Sequence, residues 1–361
     1  MKIRQFAVAA MSVLYLFQPV INTVHASEPD CTLAEKPVST QDQVPVGNVE
    51  IVLELAQGEK PEGIAFDSEG NLYYGNRTAV AGGEFDSELR KLSPGCRQDV
   101  VIATFARSPG SALLGLAVDR DGDLWAAVHE GDDHGVWRIK ASGKDKQRIA
   151  GSEQITFPNA LAFDKQGTLY VSDSGPILPP VGGAIWRLAR GASKFELWTD
   201  DPALAPLPDD PFGFPTVGAN GIAFVPPDSV YVANTEKGQI LRVPVLPDGS
   251  AGPVEAVTAF FALPSIDGIA ADVFGHIHAV LPGHIPVGFF PPLVRVDPAD
   301  GVPIRSSVES FDNAFDIPLS LAFGTRPGQK TSVFVTNGDL PIAPVGPGPR
   351  LLRIPVGVKG R

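Results

Sequence analysis

The chain has 361 residues, enough for one large β domain or two ordinary ones, and carries 29 basic against 41 acidic side chains. A net charge of −12 argues against nucleic acid and anionic membranes as partners. The 38 glycines and 35 prolines predict a turn-dense β protein.

The N-terminus reads as a leader. Lys2 and Arg4 form a basic start, Phe6 to Phe17 is apolar, and Val24-His25-Ala26 offers small residues before a cut. Cleavage after Ala26 leaves a mature chain expected to be secreted or periplasmic, with 27 basic and 41 acidic residues. The apolar run is too short to span a bilayer, and no later segment is long enough. Residues 27–48 are expected to form an N-terminal extension, and 49–361 the folded domain. Cys31 and Cys96 both remain after cleavage. In an oxidising compartment they are expected to form one disulfide, tying the extension to the outside of the first repeat.

From residue 62 onward one phrase returns six times. It reads Glu62-Gly63-Ile64-Ala65-Phe66, Leu114-Gly115-Leu116-Ala117-Val118, Asn159-Ala160-Leu161-Ala162-Phe163, Asn220-Gly221-Ile222-Ala223-Phe224, Asp267-Gly268-Ile269-Ala270-Ala271 and Leu319-Ser320-Leu321-Ala322-Phe323. The spacings are 52, 45, 61, 47 and 52 residues. Each phrase is followed by a turn and a second strand rich in β-formers, such as Leu124 to Val128 or Val230 to Val232. A third strand follows, such as Val136 to Ile139. Repeats of this length and content predict the blades of a six-bladed β-propeller. Blades one to five each show a fourth strand, for example Val100 to Phe105 or Val254 to Phe260. The sixth does not, and Val49 to Leu55 has no blade of its own. That N-terminal strand is expected to complete blade six and close the ring, which removes an exposed edge.

The first residue of each phrase enters an innermost strand, so the six positions form a column at the axis on one face. In four of six blades it is an oxygen donor: Glu62, Asn159, Asn220 and Asp267. Two carboxylates and two amides are hard ligands that suit Ca2+, or another divalent cation, with water or substrate completing the shell. Without a cation, two carboxylates crowded there would repel each other. The small residue after each ligand permits close approach at a crowded axis. The loops sharing that face, Gly175 to Pro180, Asp201 to Gly218, Ile285 to Pro292 and Pro341 to Pro349, are apolar and proline-rich. They predict a greasy mouth over a polar floor, and a fairly apolar small-molecule substrate.

The phrases Pro61-Glu62-Gly63, Pro158-Asn159-Ala160, Ala219-Asn220-Gly221 and Ile266-Asp267-Gly268 resemble those of the SMP-30/gluconolactonase/LRE family of calcium-dependent six-bladed hydrolases, over residues 49 to 356. The family includes regucalcin-type lactonases and is similar to diisopropyl fluorophosphatase and the paraoxonases. The resemblance implies that Glu62, Asn220 and Asp267 bind the catalytic ion. It implies that Asn159 is a metal ligand or a substrate contact, and that Asp267 is the base or nucleophile. The chain departs from the paraoxonases at Leu114, where they carry a histidine. The gluconolactonase arginine beside the third-blade ligand is not evident.

The resulting expectation is a monomeric hydrolase of a lactone, ester or phosphotriester. Its rivals are a non-catalytic NHL-like binding propeller and a strictosidine-synthase-like condensing enzyme. Asp173, His129 and His284 lie at mouth-side strand ends or loops and are candidate substrate contacts. Asn234 and His134 share that face. His276 and His278 alternate on one strand and are expected to pack against a neighbour. Neither Ser111 nor Ser174 sits in a Gly-x-Ser-x-Gly elbow, which argues against a serine hydrolase. Asn76-Arg77-Thr78 is a glycosylation sequon.

Overall fold

The computed structural model describes residues 48–80, 82–175, 182–207, 217–282, 291–305, 315–338 and 347–361. Residues 1–47, which hold the leader and all of the extension but residue 48, lie outside them, as do Cys31 and therefore its expected bond to Cys96.

Six four-stranded antiparallel sheets surround a central channel, a six-bladed β-propeller. The inner strands are Glu59–Phe66, Ala112–Val118, Pro158–Phe163, Ala219–Val225, Ile269–Ala271 and Ile317–Phe323. They carry the six phrases, except that Asp267 and Gly268 lie just before the fifth strand. Blade six is completed by Glu50–Glu54, which pairs antiparallel with Arg350–Pro355, Glu50 facing Arg353. The ring therefore closes by the N-terminal strand, as the unmatched strand predicts. The expected fourth strand Val254 to Phe260 shortens to Glu255–Ala256. Val257 and Thr258 both donate to the Ile240 carbonyl, which folds the chain over the end of the blade.

The fourth residue of the phrase is alanine in all six copies, and the packing shows why. The Leu or Ile of each phrase turns toward the preceding blade and lands on that blade's alanine. Leu116 packs with Ala65, Leu161 with Ala117, Ile222 with Ala162, Ile269 with Ala223, Leu321 with Ala270 and Ile64 with Ala322. Large against small, repeated six times, sets the distance between blades at the axis. Truncating one of these fully packed leucines costs roughly 2–5 kcal/mol. Cys96 packs at the edge of the cluster between blades six and one.

At the far end of the inner strands, four aspartates close the first hairpin of their blades. Asp67 accepts from the amides of Glu69 and Asn71, and from Tyr73 Oη at 3.0 Å. Asp119 accepts from the amides of Asp121 and Asp123 and from Trp125 Nε1 at 3.0 Å. Asp164 holds Gln166 and Thr168 in the same way. Asp272 holds Phe274 and His276 by their amides. Its second oxygen meets His276 Nδ1 at 3.0 Å and His278 Nε2 at 3.2 Å. These histidines thus serve the turn. Their contacts hold the Asp272 carboxyl at about 2 despite its burial.

Candidate functional site

Three of the four oxygen donors of the axial column, Glu62, Asn159 and Asn220, sit on β-bulges. Pro61 pairs with Asn76 and Ile64 with Tyr74, so Glu62 and Gly63 together face Gly75 alone. Asn159 and Ala160 likewise face Ser172, and Asn220 and Gly221 face Ala233. A bulge re-aims the side chain at the extra residue, here toward the channel. The glycines that follow are required by contact. A Cβ on Gly115 would lie 2.0 Å from the Asn159 carbonyl oxygen, and one on Gly221 would lie 2.2 Å from that of Asp267. The channel encloses about 310 Å³. Glu62, Leu114, Asn159, Asn220, Asp267 and Leu319 all line it, with apolar walls beyond them from Ile64, Leu116, Leu161, Ile222, Ile269 and Leu321.

Hydroxyls just past the ends of the second strands, Leu169–Asp173 and Ser229–Asn234, fix which way the two amides point. Ser174 Oγ donates its single proton to the Ala219 carbonyl at 2.7 Å. It can therefore only accept from Asn159, whose Nδ2 lies 3.1 Å away. Thr235 Oγ1 donates to the Ile266 carbonyl at 2.7 Å and accepts from Asn220 Nδ2 at 2.9 Å. In both asparagines the nitrogen is thus committed and Oδ1 is the open end, a carbonyl-type oxygen. Each hydroxyl also straps one blade to the residue just before the next blade's column position.

The two carboxyls are electrostatically uncomfortable. Burial pushes Glu62 up to about 7, against the pull of Arg77. Burial pushes Asp267 well above the carboxylate range, the charge of Glu62 adds to the rise, and a hydrogen bond with Asn220 opposes both. Both side chains touch channel solvent and are only partly covered. Protein surrounds the channel, so desolvation still dominates. Among the described residues no group of three His, Cys, Asp or Glu side chains forms a metal cluster. The donor set is instead mixed, with two carboxylates and two oriented amide oxygens. Oxygen-only donors carrying two negative charges fit a hard divalent cation such as calcium and do not fit zinc.

The remaining candidates separate. His284 lies outside the described residues, together with most of the proline-rich loops. Asp173 is buried, and its carboxylate accepts from the amides of Thr156, Phe157 and Gly175 at 2.8 to 3.0 Å and from Trp186 Nε1 at 3.3 Å. It tethers the chain that leads into Asn159, so its oxygens are occupied where a substrate contact is expected. Asn234 is likewise occupied, bridging the carbonyls of Ala203, Leu204 and Ala205 to the Lys237 amide. Ser111 is buried against Ser87.

His129 ends its strand at the mouth, with its ring stacked on Phe157 at 3.9 Å. Burial, followed by His134 and Arg77, lowers it to about 4, so it is neutral near pH 7. Its Nδ1 is buried without a hydrogen-bond partner. His134 is tied to the Glu130 amide and the Ile155 carbonyl. The sequon does not hold a glycan site, because Asn76 is 1% exposed and its Nδ2 donates to Glu59 and Thr78. The residue that sequence reasoning passed over is its neighbour Arg77, whose charge reaches both Glu62 and His129.

A strictosidine synthase-like, N-terminal family profile matches residues 49–78, the closing strand and the first hairpin of blade one. No curated protein matches the chain in sequence. Among solved structures, the chain is similar to regucalcin, a calcium-binding protein from Agrobacterium tumefaciens. The TM-score is 0.63 at 19% identity, over 86% of this chain and 94% of that one. It is similar to a luciferin-regenerating enzyme at 16% identity and a TM-score of 0.61, covering 87% and 97% of the two chains. It is also similar to a gluconolactonase from Xanthomonas campestris at 18% identity and a TM-score of 0.56, covering 85% and 89%. At these identities the likeness speaks to the fold, and it fits the SMP-30/gluconolactonase/LRE resemblance of the phrases.

Proposed function

We propose that the protein is an exported, monomeric, calcium-dependent hydrolase of lactones or carboxylic esters, with phosphotriesters as a related substrate class. One observation carries this reading. Two carboxyls with raised proton affinity share a channel with two asparagine oxygens that neighbouring hydroxyls hold open. Glu62, Asn159, Asn220 and Asp267 would hold the cation. Bound there, it would supply Lewis-acid polarisation of a carbonyl or phosphoryl oxygen.

The chain's own residues supply the rest. Asp267 acts as the base, taking a proton from a water directed at the carbonyl carbon. The proton then passes to the leaving alkoxide oxygen as the acyl–oxygen bond breaks, so a lactone opens to a hydroxy acid. Glu62 contributes charge. Asn159 and Asn220 do not titrate and keep their orientation while it happens. Neutral His129, flat against Phe157, forms one wall of the mouth. The Cys31–Cys96 bond belongs to the same proposal, as a staple suited to an oxidising compartment.

The test is a screen of lactones, aryl esters and organophosphates with calcium and with chelator, read beside thermal unfolding. Turnover that needs calcium, with micromolar calcium raising the melting temperature, is the expected result. Saturation at a hundredfold over Kd is worth about 2.7 kcal/mol, and Glu62→Ala should abolish it. Calcium stabilisation without turnover of any class would instead favour a binding propeller using the same face. The strictosidine synthase-like match favours condensation only over residues 49–78.

A further inference from the structure

A second ring of side chains surrounds the axial column. Ser174 and Thr235 each fall fifteen residues after the asparagine they strap. The same spacing separates Glu62 from Arg77 and Leu114 from His129. Strand register shows that this is structural equivalence. Asp173 pairs with Pro158 and Asn234 with Ala219, each just before a column residue. Asn76 pairs with Pro61 and Val128 with Leu113 in the same way. The next residues along, Arg77, His129, Ser174 and Thr235, therefore occupy one position in four successive blades.

Their hydrogen bonding divides them. In blades three and four the ring position is fully engaged, strapping the column to the next blade. In blades one and two it is not. Arg77 Nε and His129 Nδ1 are both buried without a hydrogen-bond partner. Among the described residues no carboxylate pairs with Arg77. Its guanidinium lies over the Phe85 ring at 5.3 Å, and Lys60 stands directly across the ladder from it. Like charges facing each other across strands are destabilising, and a buried guanidinium nitrogen without an acceptor costs more. A mouth otherwise dominated by Glu62 and Asp267 thus has one cationic flank, with a neutral imidazole beside it.

We propose that Arg77 is a specificity-determining residue that receives a carboxylate of the substrate, with His129 completing the subsite on blades one and two. The substrate class narrows to an ester or lactone bearing a second, anionic group away from the scissile bond. Guanidinium suits this role because its planar donors match a carboxylate and its face stacks on an aromatic ring. The narrowing rests on the hydrolase reading for the reaction. The binding preference stands apart from it.

The experiment uses calorimetric titration of the calcium-loaded protein with benzoate and benzamide, which share shape and differ in charge. Benzoate is expected to bind at least fivefold tighter, with a preference that shrinks as salt rises. Arg77→Met should bring the preference below twofold, Arg77→Gln should do the same while keeping a polar stem, and Arg77→Lys should retain part of it. Equal binding of the two ligands by the wild type overturns the proposal. So does a benzoate preference that survives in both Arg77→Met and Arg77→Gln, since the anion would then be held by the axial site. Hydrolysis of phenyl acetate and of 4-carboxyphenyl acetate is measured in parallel. A wild type that prefers benzoate, loses that preference in Arg77→Met and Arg77→Gln, and hydrolyses neither ester would sink the reaction and leave the subsite standing.

Discussion

The two ends of the inner strands carry carboxylates in opposite states. At the far end Asp67, Asp119, Asp164 and Asp272 sit in turns that supply each of them with two backbone donors. Asp272, though fully buried, is held at about 2. At the mouth Glu62 and Asp267 have no such supply, and burial raises both. All are carboxylates at the ends of inner strands, and they differ in the backbone donors supplied to them. A buried carboxylate with donors is a fastener. One without backbone donors is a vacancy for positive charge, and this contrast is what supports placing the proposed chemistry at the mouth.

Four changes test that contrast. The largest effect is expected from Asp267→Ala. Turnover should fall at least about a thousandfold, roughly 4 kcal/mol of barrier. Melting without calcium should hold steady or rise, since the like charge beside Glu62 is gone. Surviving activity would remove Asp267 as the base. Next is Asp272→Ala at the opposite end, which leaves two histidines and two amides without their acceptor. About 2–4 kcal/mol of stability should be lost in urea unfolding, with the calcium midpoint unchanged. A weakened calcium midpoint there would blur the division between the two ends.

Smaller again is Ser174→Ala, which frees the Asn159 amide to turn. Calcium affinity should drop by roughly tenfold, as for other residues that orient a ligand, with little change in global stability. Ser174→Thr, which keeps the hydroxyl, should restore most of the loss. The gentlest effect is a pair of pH slopes of opposite sign, read by urea unfolding of calcium-free protein. The folded state holds the Glu62 proton up to about 7 against an ordinary value of 4.5. The native state therefore binds more protons than the unfolded one in that window, and stability falls as pH rises through it. Asp272 is depressed from 3.8 to about 2. Its contribution is present above pH 3.8 and fades as pH falls toward 2. Calcium should flatten the upper slope and leave the lower one alone.

The ring was legible because its packing repeats in the chain. Six alanines and six Leu or Ile partners recur in one phrase, and a strand without a blade pointed to the closure. The four oxygen donors were legible because they fall in one column. What escaped was the state of each donor. Asn159 and Asn220 become oxygen donors only through hydroxyls just past the end of a different strand, and the shared spacing of fifteen residues is visible only once those pairs are known. Asp173 looked like Asp267 in sequence, a carboxylate at a mouth-side position. Three backbone amides make it a tether. Arg77 was hidden inside a sequon, because a lone strand-end cation carries no pattern of its own.

The closing strand has a consequence for how the molecule is made. Glu50–Glu54 leaves the ribosome well before its partner near Arg353, 303 residues further on. Contacts of such long sequence separation form slowly. The wheel cannot be locked until that partner strand has been synthesised, so the growing chain stays unfastened while the blades between are made.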